Sequence, residues 1–129
     1  MRITGGLAKG ILLGADRADS LRPATDYNRQ ALFGSLEGFF DINNCTFLDL
    51  FAGTGAYGLE AFSRGATQGT FVEQNKQRTL QIQKNIANVS KSAQKNTEGL
   101  AVVGADVFKF IAKHRSSYDI VFIDPPYEL

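Results

Sequence analysis

Two stretches of the chain carry functional groups at spacings that a site needs. The first is Asp49-Leu50-Phe51-Ala52-Gly53-Thr54-Gly55-Ala56-Tyr57-Gly58. It follows an apolar run and opens a helical pattern, as a nucleotide-binding turn must. Gly53 and Gly55 allow tight backbone geometry and close approach of a ligand, and Gly58 lets the helix pack on the strand. Glu73 closes the next apolar run, where a carboxylate can accept hydrogen bonds from both hydroxyls of a ribose. The second stretch is Asp124-Pro125-Pro126-Tyr127, directly after Tyr118–Ile123. Two prolines in a row cannot donate to a sheet and have fixed φ, so the chain leaves its strand rigidly. That aims the Asp124 carboxylate, the Pro125 carbonyl and the Tyr127 ring at one point. Two acceptors and a ring suit a planar base bearing an amine.

The glycine turn with Glu73 fits a nicotinamide dinucleotide and S-adenosylmethionine alike, since both bring adenosine to the same crevice. Asp49 at the strand end separates them. It can take an amino-acid moiety directly or through water, whereas a pyrophosphate would meet a negative charge.

These residues need a scaffold, and the pattern supplies one. Apolar runs at Thr46–Phe51, Thr70–Glu73, Leu100–Val103 and Ile120–Ile123 read as strands. Between them lie helical segments: Ala56–Arg64 closed by Gly65, Lys76–Val89 with Thr79, Ile82, Ile86 and Val89 on one face, and Asp106–His114, for which Asp106 is a good N-cap. Strands joined by helical crossovers predict a parallel sheet with helices on both faces, its strands buried on both sides. Residues 1–44 form an N-terminal extension, and residues 45–129 the nucleotide-binding domain. Within the extension, residues 1–24 predict a β-hairpin or ordered arm. A helix then starts with Thr25 or Asp26 as cap, with Leu32, Leu36 and Phe39 or Phe40 as its stripe and Asp41–Asn44 as its end.

Composition narrows the class. The chain has 129 residues, 43% hydrophobic and 21% charged, which is globular rather than disordered. Lys plus Arg is 14 against 13 for Asp plus Glu, so global charge implies no anionic partner. A single cysteine, Cys45, forms no internal disulfide or zinc framework and reads as a small buried hydrophobe. No apolar leader and no 18-residue apolar run exists, which argues against a secreted or membrane protein and for the cytoplasm. Five basic residues (Lys76, Arg78, Lys84, Lys91, Lys95) read as a solvated helix face, and His114 as a solvated helix end.

The chain resembles class I S-adenosylmethionine-dependent methyltransferases of the amino-methylating type, and within them the bacterial 16S ribosomal RNA guanine-N2 methyltransferases. The likeness spans the chain. It rests on Met1-Arg2-Ile3 with Gly5-Gly6, Leu21-Arg22-Pro23 with Thr25-Asp26, Arg29, Leu32-Phe33, the Asp49–Gly58 turn, Gly104-Ala105-Asp106 and Asp124–Tyr127. It implies a Rossmann-like fold, S-adenosylmethionine as cofactor, no metal, and 16S rRNA or a small-subunit assembly intermediate as partner. By the same resemblance Asp49, Ala52, Gly53 and Gly55 hold the methionine part of the cofactor, Glu73 the ribose, and Asp106 with Val107 the adenine. Asp124, Pro125, Pro126 and Tyr127 receive the guanine amine, and Lys9, Arg22 and Thr25 touch RNA or help close the site. The chain departs from the family in keeping one basic residue, Lys9, in a loop that is usually more basic. It also has Ala24, Tyr27 and Gln30 where the family has Thr, Arg and Glu. The family's sheet has seven strands, and this chain carries four, so we expect a fragment or truncated product with Ile120–Ile123 at an open edge. N6-adenine or protein-amide methylation, or a non-catalytic nucleotide- or RNA-binding module, are the alternative readings.

Overall fold

Thr46–Leu50 (β1), Gln68–Glu73 (β2), Leu100–Gly104 (β3) and Ile120–Ile123 (β4) pair in parallel in the order β3-β2-β1-β4. The structure is a computed structural model and describes residues 1–15 and 23–126. Parallel neighbours need crossovers, and these are α2 (Ala56–Ser63), α3 (Lys76–Ala93) and α4 (Val107–Lys113); α1 (Pro23–Glu37) precedes the sheet. Central β1 is buried from Phe47 to Leu50. Burial on both faces, expected of all four strands, is confined to β1 and the C-terminal half of β2. β4 alternates, with Ile120 and Phe122 buried and Val121 and Ile123 exposed. It is an edge strand among the described residues, and one face of an edge lacks a covering layer.

The sheet separates two apolar clusters. On one face Phe47, Phe71, Ile120 and Phe122 meet Leu59 and Phe62 of α2, Ile82, Ile86 and Val89 of α3, Phe33 of α1, and Ile3, Ala8 and Leu13. On the other, Leu48, Leu50 and Val72 meet Val107 of α4, with Phe51, Phe110 and Tyr118 alongside. Gly58 sets the spacing of the first layer, because a Cβ there would stand 2.5 Å from the rings of Phe47 and Phe71.

Residues 1–14 form an arm folded back on itself. Ile3 N–H donates to Ile11, Leu13 N–H to Met1, and Arg2 and Leu12 make an antiparallel bridge. Only one bridge forms, so this is an ordered arm with hairpin geometry; residues 16–22 lie outside the described part. Helix α1 begins at Pro23, whose missing N–H suits a first turn, so Thr25 and Asp26 fall inside the helix and do not cap it. Asp26 instead accepts from Arg2 N–H at 3.2 Å and Arg29 Nη2 at 3.1 Å. The buried stripe is Arg29, Phe33, Leu36 and Phe40, while the expected Leu32 and Phe39 are 44% and 88% exposed. Leu36 and Phe40 pack on the core as expected, and Arg29 takes the inward position that makes Phe33, not Leu32, the next apolar residue of the stripe.

Glu60 is the reason that arginine is buried. Its fully buried carboxylate accepts from Thr4 N–H (3.0 Å), Gly5 N–H (2.9 Å), Arg29 Nε (2.9 Å) and Arg64 Nε (2.8 Å). Arg29 Nη2 also donates to the Arg2 carbonyl. One side chain thereby joins the arm, α1 and α2. Two basic residues also leave their expected solvent. Lys95 donates to the Phe62 and Ala66 carbonyls (2.6 and 2.8 Å) with its Nζ 4.1 Å from the Phe62 ring centre, and burial lowers its pKa. His114 stacks between Phe110 and Tyr118 and shares a 2.6 Å hydrogen bond with the Tyr118 hydroxyl.

Removing one partner of a buried ion pair leaves an unpaired buried charge, at about 3–5 kcal/mol. Glu60→Ala should therefore lower unfolding stability by about that amount in urea titration. Glu37→Ala, which removes a half-exposed partner of Arg64, should cost about 1 kcal/mol or less.

Candidate active site

The C-terminal ends of all four strands lie along one edge, where parallel α/β sheets bind ligands. After β1 the chain turns through three residues of positive φ: Phe51 (56°), Gly53 (60°) and Gly55 (81°). Phe51 is the uncommon one, because a left-handed aromatic residue is strained and needs packing to hold it. That packing comes from Phe108, edge-on at 6.1 Å, and from the lower apolar cluster. Ala52 N–H reaches back to the Val72 carbonyl and Gly55 N–H to Ala52, which closes the turn ahead of α2.

Carboxylates hold this turn from two sides. Glu73 Oε1 accepts from Gly53 N–H and Oε2 from Asn75 N–H, both at 2.9 Å, and the residue is buried. Asp49 Oδ2 accepts from Gly58 N–H at 3.0 Å, so a strand carboxylate serves the first turn of α2, where Gly55 offers no side chain as cap. Among the described residues Asp49 has no basic partner. Burial pushes its carboxyl up to about 8, against the Gly58 hydrogen bond, and the negative charges of Asp124 and Glu73 add to the rise. Its surroundings thus favour the protonated carboxyl over the bare anion.

Beyond β3, Asp106 caps α4 by accepting from Lys109 N–H at 3.0 Å, as its sequence position predicts. Val107 beside it is 5% exposed and packs on Leu48, Leu50 and Val72, so its side chain is core more than crevice wall. A concavity of about 460 Å³ runs from Asp106 past Phe110 to His114, alongside α4 and away from the glycine turn. Beyond β4, Asp124, Pro125 and Pro126 are exposed at the same edge as Asp49. Tyr127 and Arg22 lie outside the described residues. Thr25 sits in the first turns of α1. Lys9 is not brought to this edge: its turn leans on Ser63, where Leu7 N–H and Ala8 N–H donate, at the end of α2 remote from Gly55.

The sequence reading missed Asn85 and Tyr57. Asn85 donates to the Thr54 and Gly14 carbonyls and accepts from Gly14 N–H, tying the glycine turn to the arm and α3. Its signal was a polar residue between Ile82 and Ile86 on the inner face of α3. Tyr57 stacks on Phe122 with ring centres 5.7 Å apart and planes at 22°.

The family described as conserved hypothetical protein 95 matches residues 1–129. Ribosomal RNA small subunit methyltransferase D of Escherichia coli is 36% identical over 127 residues, which are 98% of this chain and 60% of that protein. A solved structure of a putative methyltransferase from Escherichia coli is similar with a TM-score of 0.82 at 34% identity, over 99% of this chain and 65% of that one. A putative methyltransferase complexed with SAH is similar with a TM-score of 0.54 at 28% identity, over 66% of this chain and 22% of that one. The chain spans about three-fifths of the length of the first curated relatives it matches. Its Rossmann-like α/β architecture is that of class I methyltransferases, and the chain belongs to the conserved hypothetical protein 95 family.

Proposed function

We propose that this chain carries the donor site and amine pocket of an S-adenosylmethionine-dependent methyltransferase acting on the exocyclic N2 amine of a guanine in small-subunit ribosomal RNA. The observation that carries the reading is the hydrogen bond from Gly53 N–H to Glu73 Oε1. It locks the glycine turn to the strand-end carboxylate at the edge from which Asp124 leaves β4.

The residues present fit the donor. No atom comes nearer than 4.0 Å to where a Cβ of Gly53 would stand, so the turn's backbone is open to a ligand. Each Glu73 oxygen accepts one backbone N–H and retains a lone pair for a ribose hydroxyl. Asp49, close to its own pKa, ionises when a cationic ammonium or sulfonium stands opposite it. Asp106 and the backbone of Val107, whose side chain is turned into the core, flank the adenine. When bound, S-adenosylmethionine supplies an electrophilic methyl group.

The chain's part in the chemistry centres on Asp124. The lone pair of an exocyclic amine is delocalised into its ring, which makes it a poor nucleophile. The Asp124 carboxylate and Pro125 carbonyl accept its two N–H groups and turn the lone pair out of conjugation, toward the methyl group. Asp124 offsets the positive charge that grows on nitrogen, then takes the departing proton and passes it to water from its exposed position. Tyr127 stacks on the base and Pro126 stiffens the segment. Positioning of this kind contributes roughly 7–11 kcal/mol at best. A paired guanine cannot present this edge, so the target is unpaired or flipped out. Arg22 and Thr25 serve as RNA contacts, and Lys9 as one away from the sheet edge. With rRNA as substrate the working compartment is the cytoplasm.

Asp124→Ala should lower methyl transfer to small-subunit particles by at least about 100-fold, with S-adenosylmethionine affinity within a few-fold by calorimetry. Near-normal transfer would refute the assignment. Asp49 generates a pH prediction. In the unfolded chain its carboxyl ionises near 3.8, and in the fold it stays protonated until about 8. Its share of stability therefore falls as pH rises across that window. Binding of a cation releases its proton, so affinity for S-adenosylmethionine should rise from about pH 6 to about pH 8, by at most about tenfold per unit, then level off. Asp49→Asn should flatten the profile; an unchanged slope in that variant would exclude Asp49 as the titrating group.

A further inference from the structure

Tyr57 is the second residue of α2, directly after the glycine turn and directly before Gly58, whose N–H serves Asp49. Its ring is half-buried and stacked on Phe122, which on its other contact meets Phe33 at 5.6 Å. Phe122 is paired in register with Asp49 and stands two residues before Asp124. The ring is thus fixed by packing at the meeting point of β1, β4 and α2. Among the described residues neither its hydroxyl nor the Asp124 carboxylate has a hydrogen-bond partner. The two groups are nevertheless close enough to interact electrostatically. Burial raises the phenol pKa, Asp124 raises it further, Arg29 pulls it down and Asp49 adds a smaller rise.

An unpartnered carboxylate is only an acceptor, and a neutral phenol is a donor. Brought to one end of the sheet through Phe122, on which the ring stacks and which stands two residues before Asp124, they match a heteroaromatic edge that presents an N–H beside a ring-nitrogen lone pair. We propose that Tyr57 is a specificity-determining residue of the amine pocket, its O–H donating to the ring nitrogen next to the exocyclic amine that Asp124 accepts. This inference rests on the methyltransferase reading and deepens it. The acceptor class it selects is an aminated purine edge. A lone primary amine, such as a lysine side chain, lacks the ring acceptor and forfeits half of the recognition. The hydrogen bond to the ring nitrogen adds a fixed point on the base beside the contacts that Asp124 and Pro125 make to the amine. The stacked ring of Tyr57 prevents the donor from swinging away.

Tyr57→Phe keeps the ring on Phe122 and removes only the hydroxyl, so it separates recognition from packing. Carbon-13 labelling of the four tyrosines, with Tyr57 assigned by its loss in Tyr57→Phe, reads the phenol titration directly by NMR. In Asp124→Asn the Tyr57 midpoint should move down, since a neighbouring negative charge is gone. An unmoved midpoint would show that the two groups share no site and would overturn the proposal. In transfer assays with small-subunit particles, Tyr57→Phe should raise KM for the RNA about three- to tenfold, the loss of one neutral hydrogen bond, with kcat and cofactor affinity within about twofold. On RNA carrying 3-deazaguanine at the target, which lacks the ring acceptor, wild type and variant should be equal. Equal KM on native RNA would overturn the proposal. A wild-type chain that binds no S-adenosylmethionine, or an Asp124→Ala variant that still transfers, would instead fail the underlying reading of function, and the titration alone then decides the pairing of Tyr57 with Asp124.

Discussion

A carboxylate removed wholly from water must be met by donors on nearly every lone pair, and Glu60 is met by four from three separate segments. That requirement organises the upper layer of the molecule. The arm must turn at Thr4 and Gly5 to offer its N–H groups, α1 must present Arg29 inward, and Arg64 must fold back along α2 from the helix end. Since α2 begins at the glycine turn, whatever orients α2 also orients the donor site. Asn85 makes the same connection from the opposite end, through Thr54 and Gly14. The turn is held by a polar frame reaching into α3 and the arm, not by its own residues alone.

The site itself shows the opposite arrangement. Asp49 is as buried as Glu60 in practical terms, yet among the described residues one backbone N–H is its only donor and no cation pairs with it. The physical result is a group that prefers its proton and gives it up only when positive charge arrives. Two buried carboxylates are thus set apart by their surroundings, one met by four donors and one held toward its protonated form. Glu73 lies between these extremes, with each oxygen half-satisfied.

Much of this was legible in the residues and their spacing. β4 and the start of α3 fell where the pattern put them, the Asp106 cap is as read, and the close fit of Gly58 is what its place in the turn demands. What escaped was decided by partners far away in the chain. Nothing local to Arg29 says that it is buried; the reason lies at Glu60. Lys95 looks like a surface lysine until the open carbonyls at Phe62 and Ala66 arrive beside it. His114 is held by rings at Phe110 and Tyr118, and ring stacking leaves no periodic trace. The helix starting at Pro23 was misread by weighing Thr25 and Asp26 as caps above the fixed φ of proline.

The strand order carries a consequence for how the molecule is made. β1 finds β2 across a single short helix, and Glu73 meets Gly53 only 20 residues away. Its other neighbour, β4, joins at Thr46 and Asp119, 73 residues apart, after two further helices and a strand. Closing the longer loop costs more chain entropy and comes after the shorter one in synthesis from the N-terminus. The glycine turn and Glu73 therefore come together while the chain is still growing, and Asp124 joins their edge afterwards.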